Sequence, residues 1–129
     1  MMRMTFGLLV LALGCRSVPD GFEGPAVPWE QMDHAARLAH MTAVVEPKMK
    51  QSFQAHDAER FADFGCATCH GPGVEDGTYA MPNPELPVLG RAAYRQDYAK
   101  NSREMVRFMW EHVEIETAAL LGQKAGRTR

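Results

Sequence analysis

GCATCHGPG (residues 65–73) holds two of the chain's three cysteines, three positions apart, with a histidine directly after the second. Few chemistries use two thiols at this spacing, and the surrounding sequence separates them. A dithiol redox pair sits at a helix N-terminus behind a strand of a βαβ unit, and no strand-like run precedes Gly65. A structural zinc site takes four ligands, whereas Cys66, Cys69 and His70 supply three without a second cluster. A disulfide between Cys66 and Cys69 closes so small a ring that it adds little stability, and it leaves His70 without a task.

Cys66-Ala67-Thr68-Cys69-His70 has the C-x-x-C-H form of covalent haem c attachment. In that chemistry each thiol adds to a vinyl group and the histidine ligates iron. The expected cofactor is one haem c, held by Cys66 and Cys69, with His70 as the proximal ligand.

The start of the chain supports the same reading independently. MMRMTFGLLVLALGC has a cationic residue at Arg3, an apolar run from Phe6 to Leu13 and a small residue before Cys15. The run is far shorter than the roughly 20 residues of a membrane-spanning helix, so residues 1–14 are expected to be an export signal peptide. LALGC resembles a bacterial lipobox, which implies cleavage after Gly14 and lipidation of Cys15. Leu at both −4 and −2 with Ala at −3 departs from the commonest form of that box. The expected location is the periplasmic side of a bacterial membrane, with the lipid at Cys15 touching the membrane surface. Covalent haem attachment also takes place outside the cytoplasmic membrane.

The chain has 129 residues, enough for one domain at about 100–200 residues per domain. Its 46% hydrophobic and 23% charged content is that of a globular protein, and a net charge of −2 gives no basic face for nucleic acid. RSVPDGFEGPAVP, with three prolines and two glycines, reads as a tether, so residues 15–28 form a lipidated N-terminus and linker. Residues 29–122 form the domain, and residues 123–129 a C-terminal tail.

Within the domain, a helix is expected from Trp29 to about Phe53, with Leu38, Met41, Val45, Met49 and Phe53 on one apolar stripe and a kink or break at Pro47. Asp57 is the expected N-cap of a short helix over 58–64. Four glycines and four prolines between residues 71 and 90 exclude a long helix there. A C-terminal helix is expected over 101–121, opened by Asn101 with Glu104 and closed by Gly122, with Val106, Met109, Val113, Thr117 and Leu120 as its seam. Strand-like alternation and internal repeats are missing, so the fold class is all-α.

In the order helix, C-x-x-C-H, Pro-rich loop with a Met-Pro step, C-terminal helix, residues 29–122 resemble small monohaem c-type cytochromes. The resemblance implies N- and C-terminal helices packed around haem c with a ligand loop, and electron transfer to and from redox partner proteins. One departure matters: in typical class I members the ligand Met lies several tens of residues after the motif His, whereas Met81 follows His70 by eleven.

Met81 in YAMPNP is the first choice for the distal iron ligand, because Pro82 and Pro84 stiffen its loop. Met49 is the alternative, seventeen residues before Cys66, an arrangement similar to that of photosynthetic reaction-centre cytochromes. Met41, the histidines His34, His40, His56 and His112, and an open sixth site follow. The expected function is a membrane-anchored periplasmic electron carrier, not an enzyme. Alternatives are a haem-based gas sensor and, behind it, a C-x-x-C thiol redox protein. The excess of cations over residues 89–107 reads as a solvated helix start ahead of a docking face, and the acidic run Glu111, Glu114 and Glu116 as an exposed face.

Overall fold

The computed structural model describes residues 18–87 and 102–126, and among these the regular elements are helical, with no strand. The all-α expectation holds. The export signal, Cys15, Asn101 and the cations Arg91, Arg95 and Lys100 lie outside the described residues. No described helix is long and apolar enough to cross a membrane.

The first half of the domain is one helical rod: α1 (His34–His40), a π turn (Met41–Val45) and α2 (Glu46–His56). It starts later than Trp29, which lies in a separate 3-10 turn (Trp29–Gln31), because Asp33 is an N-cap whose Oδ1 accepts from the Ala36 N–H at 2.8 Å. The rod runs through Pro47 without a break. Proline lacks an N–H, and its ring presses on the carbonyl four residues back, here Ala43. The turn before it is widened to π geometry, in which the Glu46 N–H donates to the Met41 carbonyl, and this makes room for the ring.

The expected helix over 58–64 is a series of turns instead. Asp57 does cap it, accepting from the Arg60 N–H at 2.9 Å. The Gln54 side chain, however, donates to the carbonyls of Phe61 and Ala62, at 3.1 and 3.3 Å. Seven residues are too few to propagate a helix against that competition.

The C-terminal rod has the same build: α4 (Arg103–Phe108), a π turn (Met109–Val113) and α5 (Glu114–Leu120), numbered after the short α3 (Cys66–His70). It runs antiparallel to the first rod. His40 Nε2 lies 2.8 Å from the Leu120 carbonyl, Thr117 Oγ1 donates to Met49 Sδ at 3.7 Å, and the rings of Phe53 and Phe108 are 5.0 Å apart. Gly122, at φ 67°, ends the rod in a Schellman motif, with the Gln123 N–H on the Ala118 carbonyl at 2.8 Å.

The core lies between the rods. Phe53 is its centre, with Phe61 and Phe64 each 4.8 Å away and Phe108 on the third side. Val45, Met49, Val113 and Leu120 complete it. Residues read as tether also touch this body: Phe22 packs against the core, and a Cβ on Gly24 would stand 2.5 Å from Gly122 Cα. Glu116 is not on an exposed face. It is only 5% exposed and Oε2 has no hydrogen-bond partner, because position 116 turns toward the rod interface rather than toward solvent.

Candidate functional site

The apolar stripe of the first rod is longer than the core it feeds. Val45, Met49 and Phe53 are buried between the rods, while Met41 and Leu38, one and two turns earlier, are half-buried in the floor of an open cleft. The enclosed part of this cleft holds about 240 Å³. Its opposite side is the motif segment, so Cys66, Cys69 and His70 all face the same space as Met41 and Met49.

Local sequence explains how the motif is held. Gly65 is extended and precedes α3, where Thr68 closes the turn: its Oγ1 accepts from the Gly65 N–H at 3.1 Å, and its own N–H donates to the Gly65 carbonyl at 2.9 Å. Cys66 and Cys69 are both free thiols on this single turn. Gly71 ends it at φ 53°, a conformation suited to glycine, and a Cβ there would lie 2.5 Å from Oδ1 of the buried Asn83. The chain then folds back through a 3-10 turn (Gly71–Val74), with Asp76 accepting from both the N–H and the hydroxyl of Thr78. That turn holds the Asp76 carboxyl below its ordinary range.

The fold-back delivers the Tyr79 carbonyl to His70. The Nδ1 of His70 is 3.0 Å from that oxygen, so the Nδ1–H donates to it and Nε2 is the ring nitrogen left outside this bond. The Tyr79 ring stands edge-on to the imidazole at 5.6 Å.

Both thiols are pushed above the ordinary cysteine range. For Cys66 the main cause is burial, followed by Glu46, whose Oε2 accepts from Sγ at 3.2 Å and whose charge opposes a thiolate. For Cys69 it is burial, then the neighbouring Cys66. Both causes disfavour the thiolate, the form that acts as nucleophile in a dithiol oxidoreductase.

Met81 does not join this group. It is 61% exposed and does not line the cleft, whereas Met49 is 4% exposed and does. Of the remaining histidines only His34 reaches the cleft; His40 is bonded to the second rod and His56 is stacked on Phe108 at 4.1 Å. Among the described residues no three His, Cys, Asp or Glu side chains converge as a metal-ion site.

The sequence names His34 only as a sixth-ligand candidate, and it does not single out the polar lining residues Arg37, Glu46 and Tyr79. Arg37 and Glu46 were within reach, since they share the helical face of Leu38, Met41 and Val45. Tyr79 gave no signal, because its part is played by a backbone carbonyl. The donor set suits a covalently held haem: two thiols and a free imidazole nitrogen on one turn, facing a mainly apolar wall. Compared with known protein families, curated proteins and solved structures, the chain has no match.

Proposed function

We propose that this chain is a small c-type cytochrome that carries single electrons between redox partner proteins, exported and anchored through Cys15. The observation that carries the reading is the juxtaposition of both thiols with a histidine whose Nδ1 is bonded to the Tyr79 carbonyl at 3.0 Å. A ligating histidine ordinarily has its second nitrogen tied down in this way, which fixes the tautomer and makes the ligating nitrogen a stronger donor.

Haem c bound here supplies a one-electron Fe(III)/Fe(II) couple. Cys66 and Cys69 would hold it through thioethers, and His70 would ligate iron through Nε2. For the sixth position the buried cleft residue Met49 is favoured over the exposed Met81. The Thr117 hydroxyl at 3.7 Å fixes the Met49 sulfur from the second rod. The apolar side chains Leu38, Val45 and Phe64 line the cleft, and such a surround together with a thioether ligand would favour the reduced state. At about 240 Å³ the enclosed space is below the roughly 300–1,000 Å³ of ordinary ligand pockets, so a macrocycle would keep one edge in solvent, where a partner can reach it.

Carbon monoxide tests the carrier reading. A reduced protein that resists CO and, when oxidised, shows the thioether-to-iron band near 695 nm expected from the family resemblance supports a carrier. Rapid CO binding would favour a gas-binding protein instead.

A further inference from the structure

The cleft is electrically polar along its length. Glu46 lies at the level of Cys66, 3.2 Å from its sulfur, and Arg37 stands nine residues earlier on the same rod, about 13 Å away at 1.5 Å per residue. Among the described residues Arg37 is the one Lys or Arg that lines the cleft. Its Nε donates to the Trp29 carbonyl at 3.1 Å, and the guanidinium lies over the Trp29 ring, 5.3 Å from the centroid. That anchoring uses one edge of the guanidinium and leaves the two terminal nitrogens free. Among the described residues no carboxylate forms an ion pair with it. A half-buried, pre-oriented arginine without an anion in an apolar cleft is a built carboxylate-binding group.

Resting on the haem reading above, we infer that Arg37 is the propionate-binding residue of this protein. The vinyl and propionate substituents of haem stand on opposite halves of the ring. Sulfur bonds at Cys66 and Cys69 hold the vinyl half beside Glu46, and the propionate half is then directed along the rod toward Arg37. The reverse placement would bring propionates against the Glu46 carboxylate. The other titratable groups sharing the cleft are His34, Glu46, His70, Tyr79 and the two thiols.

The test is spectroelectrochemical titration of the full-length holoprotein from pH 4 to 9, with resonance Raman spectra of the propionate bending modes, for wild type, Arg37→Gln, Arg37→Lys and His34→Gln. Arg37→Gln is expected to keep covalent haem, lower the potential at pH 7, move the pH-dependent step of the potential upward and shift the bending band. Arg37→Lys, which keeps the charge but not the fork, should fall between. Superimposable curves and bands for wild type and Arg37→Gln, or a step that moves only in His34→Gln, would overturn the assignment while leaving the haem reading intact. A wild type purified without covalent haem overturns both.

Discussion

His70 and Tyr79 are joined through the backbone: the imidazole Nδ1 donates to the Tyr79 carbonyl at 3.0 Å, and Tyr79 presents that carbonyl from a left-handed conformation, φ 50°. A non-glycine residue adopts that conformation at a cost of about 1–2 kcal/mol, and a β-branched one tolerates it worst. Tyr79→Val should therefore tilt the carbonyl away and release the imidazole. The expected outcome is a higher reduction potential, because a less tightly bonded Nδ1 proton makes Nε2 a weaker donor to Fe(III), together with a lower melting temperature. An unchanged potential would show that the contact does not tune His70.

The two methionines make opposite predictions. Met49→Leu keeps the core volume and should abolish the thioether-to-iron band of the oxidised protein, whereas Met81→Leu, at an exposed position, should leave it unchanged. The reverse pattern would return the ligand role to the loop.

Thiol protonation ties stability to pH in the haem-free chain. Cys66 and Cys69 titrate above the ordinary value of 9.0 when folded, so the folded state holds these protons more tightly than the unfolded state. Their contribution is fully present below pH 9.0 and is lost as pH rises through the raised folded values. Chemical denaturation at stepped pH should show this alkaline loss for the thiol form and not for the haem-bound form, whose sulfurs cannot ionise. Glu46→Gln removes the opposing charge at Cys66 and should speed its alkylation by iodoacetamide near neutral pH. No change in that rate would contradict the contact.

Packing around Phe53 sets the stability of the rod pair. Phe53 is 4% exposed and meets three aromatic rings within 5.0 Å. Phe53→Ala should lose about 3–5 kcal/mol in denaturant titration, a large share of the about 5–15 kcal/mol typical of a domain. A loss under 1 kcal/mol, on the order of a surface substitution, would mean the core lies elsewhere.

What could be read from the sequence was what periodicity encodes. The stripe from Leu38 to Phe53 located the first rod, and Val113, Leu120 and Gly122 located the face and end of the second. The start of the first rod was misplaced because the N-cap signal of Asp33 was passed over for the apolar Trp29. Pro47 marks a disturbance of the first rod in the sequence, but the π turn that carries the helix through it leaves no local signature. The motif gave the two thiols and His70, but their common cleft depends on a fold-back in which Asn83 packs against Gly71 and the Tyr79 N–H donates to the Gly73 carbonyl at 2.8 Å, neither of which the motif spacing encodes. Pro82 and Pro84 single out Met81 in the sequence, yet prolines stiffen a loop without setting where it points, and Met81 stands exposed outside the cleft lining. Glu116 looked exposed from its acidic neighbours, yet a helix turns about 100° per residue and separates adjacent charges onto different faces.

If Cys66 and Cys69 carry haem and His70 ligates its iron, a denaturing gel stained for haem, run beside a visible spectrum of the protein purified from a host that assembles c-type cytochromes, will show it. Haem should stay with the polypeptide through denaturation in wild type and be lost in the Cys66→Ala, Cys69→Ala double variant. Colourless wild-type protein with two titratable thiols, from the same host, would contradict it.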